Sequence, residues 1–303
     1  MTLLAVQLLN GLQLGLLLFL IAAGLTLVFG IADLLNLAHG TLVMAGAFLT
    51  AALAVPFGVV PGLLVATALT ALLGLLLERG VVKRLYARSH LDQVLATFGL
   101  VLIGNDVAKA IWGPNPIFLS PPAWLQGQVD FGAFLYPSAR LAITAAGLIV
   151  ALGLWWLIAR TRIGVWTRAA ADDAAMTANL GVDTRMLAMG VFALGAALAG
   201  FAGGLSGFLI AVQIGMGEAV LILAFVVVVV GGLGSVKGAL VGALLVGMAD
   251  TLGRAFLPAL LANFTDTATA DGAGAALGSV MIYLVMALVL TVRPQGLYGT
   301  RLG

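Results

Sequence analysis

Residues 1–32, MTLLAVQLLNGLQLGLLLFLIAAGLTLVFGIA, contain no Asp, Glu, Lys or Arg. A run this long exceeds the about 20 apolar residues that carry a helix across the hydrocarbon core of a bilayer. The same character returns along the chain, since 34–77, 141–159, 186–217, 219–236 and 272–292 are also uncharged. The 303 residues are 62% hydrophobic and 9% charged, against roughly 25% charged in ordinary soluble domains. So little charge cannot cover the surface of a water-soluble protein of this size. The chain reads as a polytopic integral membrane protein.

Apolar segments fall at about 3–30, 37–55, 58–78, 93–112, 139–159, 187–213, 218–233, 238–257 and 275–292. They are continuous, without the alternating segments of about 10 residues that mark a membrane barrel. Backbone groups cannot go unpaired in hydrocarbon, so the spanning elements are helices. The expectation is an all-α fold of about eight or nine transmembrane helices in one domain, 1–303. The first segment does not read as a cleavable signal, because it lacks a basic start and outruns the about 7–15 residues of a signal core.

Basic residues cluster in four places: Arg79, Lys83, Arg84 and Arg88; Arg160, Arg162, Arg168 and Arg185; Lys237; and Arg293 with Arg301. Short basic loops stay cytoplasmic, so these segments face inward, while 113–137 and 258–274 face out. The N-terminus is outside if the first three segments all span, or inside if 31–55 is broken or re-entrant. The loop 113–137 holds five of the nine prolines, which rule out a continuous helix there. The loop 160–186 is Ala-rich at its centre. Asp172 and Asp173 precede AAMTANL, and Gly181 is placed to end a short helix.

Small residues recur four apart: Ala196, Gly200 and Gly204; Ala199, Gly203 and Gly207; Gly234, Gly238 and Gly242. Such faces let helices approach closely in lipid, either as tight packing alone or as surfaces that slide along a transport path. His39-Gly40-Thr41-Leu42-Val43 and Lys237-Gly238-Ala239-Leu240-Val241 each open an apolar segment after a break, a weak hint of an internal repeat.

Few polar residues lie at membrane depth. Asp33, Asn36 and His39 would share one helix side if the segment is helical throughout; alternatively 31–36 is a turn and Asn36 caps the next helix. Asp106 and Lys109, beside Asn105, have the spacing of a local ion pair. Glu218 and Asp250 are isolated carboxylates, suited to a gate, a cap or a neighbouring cation. With no Cys and two His, disulfides and thiol chemistry are excluded, and no metal site or cofactor is expected. GGLGSVKG lacks the closing Gly-Lys-Ser/Thr of a phosphate loop, and neither HExxH nor GxSxG occurs. No enzyme or nucleic-acid function is expected.

Four stretches carry a family likeness: NGLQLGLLLFLIAAGLTLVFGIADLLNLAHGTLVMAGAF, the run RTRIGVWTRAAADDAAMTANLGVDTRMLAMGVFALGAALAGFAGGL, then FVVVVVGGLGSVKGALVGALLVG, and the closing RPQGLYG. Together, and in order, they resemble bacterial branched-chain amino-acid ABC transporter permeases, of the shorter H type. The resemblance implies the ABC importer permease fold in the inner membrane. It also implies a second homologous permease, two cytoplasmic ATPases and an extracytoplasmic solute-binding protein, with surrounding lipid. It makes 160–186 a cytoplasmic coupling loop in which Arg168, Ala169, Ala170, Asp172, Asp173, Ala174, Ala175, Leu180 and Gly181 meet an ATPase, the coupling helix running from Ala169 to Gly181. Asn36, His39, Gly40, Glu218, Gly231, Gly232 and Gly234 are then candidates for the path or its gate. Permeases for urea and short amides are similar, so the cargo is either an aliphatic amino acid or one of these. Rival readings are an ion-coupled carrier using Asp33 or Asp250, and a poreless assembly subunit.

Overall fold

The computed structural model describes residues 2–132 and 134–299. Each long apolar run becomes one helix: α1 (Thr2–Ala32), α2 (Ala38–Phe57), α3 (Val59–Gly80), α4 (His90–Trp112), α5 (Ser138–Arg160), α8 (Thr184–Ser206), α9 (Met216–Gly231), α10 (Val236–Leu261) and α11 (Thr267–Val292). Two further helices, α6 (Arg162–Asp172) and α7 (Ala174–Asn179), join α5 to α8. Eight helices are long and apolar enough to span. Helix α9 has 16 residues, about 24 Å at 1.5 Å per residue. It is the shortest of the long helices and falls below the about 30 Å hydrocarbon core.

Polar side chains set several helix starts. Ser89, Ser235 and Asp266 accept from Asp92 N–H at 3.2 Å, Gly238 N–H at 3.1 Å and Thr269 N–H at 3.0 Å, so each caps the helix that follows. The apolar run read as 187–213 stops at Ser206, and 207–215 returns as non-helical chain. Between α4 and α5 the proline-rich connection folds into a hairpin of β1 (Gln128–Asp130) and β2 (Leu135–Pro137).

Helix α1 runs antiparallel to α10, α3 to α8 and α10 to α11. Gly11 lies against Met248 and Gly15 against Leu244, while Thr70 meets Gly200 and Gly274 meets Pro258. By these directions the basic segments gather at one end of the bundle, here the basic end. Arg301 lies outside the described residues. Asn10 near the start of α1 is bonded to Tyr136 and Arg140, so α1 begins at the other, hairpin, end. Helices one to three all cross, and the chain between the first two is broken.

Helix α1 is the axis of the bundle, buried along most of its length from Gly11 to Val28. It packs on α5, α8, α9 and α10. Apolar burial gives little drive between helices already in lipid, so close approach of small residues has to supply the packing. Gly24 and Gly195 fit α1 against α8: a Cβ on either would stand 2.8–3.0 Å from the other's carbonyl oxygen. Helices α4, α5 and α11 are peripheral, with exposed Leu95, Leu102, Ile149, Leu152, Leu284 and Leu288.

Candidate functional site

The chain between α1 and α2 leaves the helical path at Asp33, whose φ is 46°. Residues 33–36 are non-helical, and α2 starts only at Ala38. Backbone at this depth must find partners within the protein, and α4 supplies them. Leu35 N–H donates to Gln93 Oε1 at 3.4 Å and Leu37 N–H to Thr97 Oγ1 at 3.2 Å. Gln93 Nε2 also donates to Leu85 O at 3.3 Å and Arg88 O at 3.4 Å. One buried glutamine therefore ties the break to the loop at the basic end.

Of the two readings of Asp33, Asn36 and His39, this break favours the turn over 31–36 and removes the single helix side that a continuous helix would give them. Asp33 is exposed at the basic end, 3.8 Å from His90 Nε2. His39 is buried and its Nε2 lies 3.1 Å from Ile21 O, the distance of a donor bonded to that carbonyl. Asn36 is 1% exposed, yet among the described residues neither its Nδ2 nor its Oδ1 has a partner. It caps α2 with its backbone oxygen, which accepts His39 N–H at 3.4 Å, and not with its side chain. Each orphaned buried polar atom costs about 1–3 kcal/mol, so Asn36 is held in place at a cost to stability.

Gly40 rests on Gly217, the second residue of α9. Next to this contact Asn105 Nδ2 donates to Glu218 Oε1 at 2.5 Å, while Thr41 Oγ1 and Asn105 Oδ1 are buried without partners. Asn105 lies about 22 Å along α4 from His90 at 1.5 Å per residue, in the half of the bundle nearer the hairpin end. The expected Asp106–Lys109 ion pair does not form among the described residues, and Asp250 pairs with Arg254 at 2.7 Å. Above the polar group sits a separate apolar cluster of Met44, Ala47, Phe48, Ala108, Val212 and Met216, with Trp112 stacked on Phe48 at 5.1 Å.

Gly231, Gly232 and Gly234 lie at the far end of α9, not with Glu218. Leu297 N–H and Tyr298 N–H donate to Val230 O and Gly231 O, both at 2.9 Å. The closing segment thus caps the last carbonyls of α9, and Gly232, at φ 101°, lets it lie close.

Helices α6 and α7 form a bent pair at the basic end. Gly164, Thr167 and Ala170 make the buried stripe of α6, and Arg168 Nη1 bonds to Ile158 O. Asp173 breaks the helix and starts the next by accepting Met176 N–H at 2.8 Å. The single helix expected from Ala169 to Gly181 is therefore two. Ala169 and Asp172 belong to α6 and Ala174 and Ala175 to α7; Leu180 ends α7 and Gly181 turns away at φ 89°. Ala170 is 3% exposed and faces the bundle, whereas Ala175, Met176 and Leu180 are exposed. Gln93 and Thr97 escaped the sequence reading; the only signal was two polar residues four apart on one face of an apolar helix.

The family model described as "Branched-chain amino acid transport system / permease component" matches residues 7–290. A high-affinity branched-chain amino acid transport system permease protein, BraD of Pseudomonas aeruginosa, is 31% identical over 97% of this chain and 95% of its own. LivH of Escherichia coli K12, a protein of the same description, is 28% identical over 97% and 94%. The probable branched-chain amino acid transport permease LivH of Methanocaldococcus jannaschii is 26% identical over 93% and 89%. No solved structure matches the chain.

Proposed function

This chain belongs to the family of branched-chain amino acid transport permease components, and from that premise we propose that it forms half of the channel of an ATP-driven importer for aliphatic amino acids. It is a multi-pass protein of the inner membrane and works with the other components of an ABC transport system. The finer assembly is our reading: a second homologous permease beside it, two ATPases at the basic end and a solute-binding protein at the hairpin end. The chain itself is a pore subunit without catalysis. Residues 1–303 act as one permease domain, with 113–137 outside the cell and 160–186 inside.

The observation that carries this reading is a family match from residue 7 to 290, which takes in every crossing of the bundle. The basic end suits the cytoplasm by its charge. The α6–α7 pair suits the coupling role, because among the described residues it is the α-helical unit that lies beyond the long helices, and it offers Met176 and Leu180 at its tip. Rocking of helices driven by the ATPases would open the path, for which Asn36, His39, Gly40 and Glu218 are the candidates. Gly231, Gly232 and Gly234 serve as a hinge below it.

Reconstitution of the complete complex in vesicles tests the reading. Leucine should enter only with ATP inside the ATPase compartment, and excess unlabelled isoleucine or valine should compete. Competition by urea or acetamide in place of these, or uptake set by an ion gradient without ATP, would refute it.

A further inference from the structure

Three elements distant in sequence bring one polar residue each to the same place. Thr41 comes from the first turns of α2, Asn105 from α4 and Glu218 from the first turn of α9. Gly40 against Gly217 and Thr41 Cγ2 against Gly104 hold them together. Among the described residues Glu218 has no basic partner; neither Lys109, one turn along α4 from Asn105, nor any arginine pairs with it. An acidic residue in a first turn suits the helix dipole. That explains Glu218 alone, and leaves Thr41 Oγ1 and Asn105 Oδ1 buried and unpaired.

Beside the Thr41 O–H and the second Asn105 N–H, these groups offer three acceptors: the Glu218 Oε2, the Asn105 amide oxygen and the Thr41 hydroxyl oxygen, and the carboxylate makes the place suited to a cation. An ammonium group carries three donors and no acceptor, and it bonds more strongly to a carboxylate than a neutral donor does. The same three elements also supply an apolar wall. Met44 follows Thr41 by one turn, Ala108 follows Asn105 by one turn, and Met216 precedes Glu218, all within the cluster around Phe48.

We propose that Thr41, Asn105 and Glu218 form a transit station for the ammonium group of an amino acid, whose aliphatic side chain lies against Met44, Ala108 and Met216. The proposal rests on the reading of the chain as an amino-acid permease and adds a selectivity step within the membrane. The station is closed here, because Thr41 presses on Gly104. It opens when α4 moves away from α2. A neutral amide or urea carries no charge for Glu218 to hold, so the station favours amino acids over these molecules.

The native chain has no cysteine, so a single Thr41→Cys gives this subunit one label site, and labelling is read on this subunit after it is separated from the complete complex. The probes are 2-aminoethyl and 2-sulfonatoethyl methanethiosulfonate, one cationic and one anionic. Glu218→Gln should lower the ratio of cationic to anionic labelling at Cys by about tenfold, the scale of a lost charge-assisted contact. With native threonine, Glu218→Gln should cut leucine uptake by about tenfold or more and Glu218→Asp by less, since the charge remains. Asp106→Asn, which removes an exposed acid of α4 next to Asn105, should leave both readouts unchanged. An unchanged labelling ratio, or leucine uptake at the native rate in Glu218→Gln, overturns the station. Failure of the native complex to import leucine would instead overturn the permease reading, and the labelling ratio would still decide the station.

Discussion

Gly40 and Gly217 meet backbone to backbone, each in the first turn of a helix that starts inside the bundle. A Cβ on Gly40 would stand 2.7 Å from the Gly217 carbonyl oxygen, and one on Gly217 would run into the carbonyl of Gly40. The contact is reciprocal, as is that of Gly24 with Gly195 in the helices that precede them. Two reciprocal glycine contacts thus join α1 to α8 and α2 to α9.

Gly217→Val should separate α2 from α9. Overpacking of this kind costs about 1–3 kcal/mol. The expected outcome is a lower melting temperature in detergent together with loss of ATP-driven uptake. Native melting and native uptake would show that the two helices do not pack through this glycine.

Gln93→Leu should orphan Leu35 N–H and the two carbonyls that Gln93 serves, each worth about 1–3 kcal/mol when buried. Hydrogen exchange at residues 33–38 should accelerate, while exchange in α8 and α10 stays as it was. Thr97→Val should act more weakly, because it removes the acceptor of Leu37 N–H and only a long contact to Leu35 O at 3.5 Å. No acceleration in either variant would remove α4 from its role in holding the break.

Ala175→Trp and Gly181→Val should leave the permease inserted in the membrane and abolish uptake, because one blocks the exposed face of α7 and the other strains a φ of 89°. Ala170→Trp should behave differently and lower folded yield, because Ala170 is buried against the bundle. Normal uptake by the first two variants would move the coupling contact elsewhere.

Removal of residues 294–303 should free the carbonyls of Val230 and Gly231 and fray the last turn of α9. Gly232→Ala should mimic part of this effect, since a Cβ there would crowd Gly299 and Gln295 at a φ of 101°. Faster hydrogen exchange confined to 226–236 is the expected reading; an unchanged rate would mean that the closing segment does not hold α9.

Most of the fold was legible because lipid imposes a coarse rule: a long uncharged run must be a helix. The nine apolar segments became nine helices, and Asp173 and Gly181 punctuate the 160–186 loop where side-chain chemistry suggested. The break at 33–37 was legible only as one of two open readings, a turn over 31–36 or a helix carried through. IADLLNLAH contains neither proline nor glycine, so nothing local forces the helix to end. What permits the break is Gln93 and Thr97, about 60 residues away, and a lone sequence does not reveal that pairing. Similar distance hid the link between Asn105 and Glu218, where local spacing pointed instead to Asp106 with Lys109. The role of RPQGLYG was hidden too, because its partners are carbonyls, which carry no residue signature.

The cap on α9 also sets an order of events at the ribosome. Val230 and Gly231 emerge long before Leu297 and Tyr298, and at about 5–20 residues per second the interval is several seconds. Through that interval the shortest of the long helices has bare carbonyls at its tip. Nascent chains stalled before residue 294 should therefore hold this stretch loosely in the translocon, and chains extended past Tyr298 should release it as a settled helix.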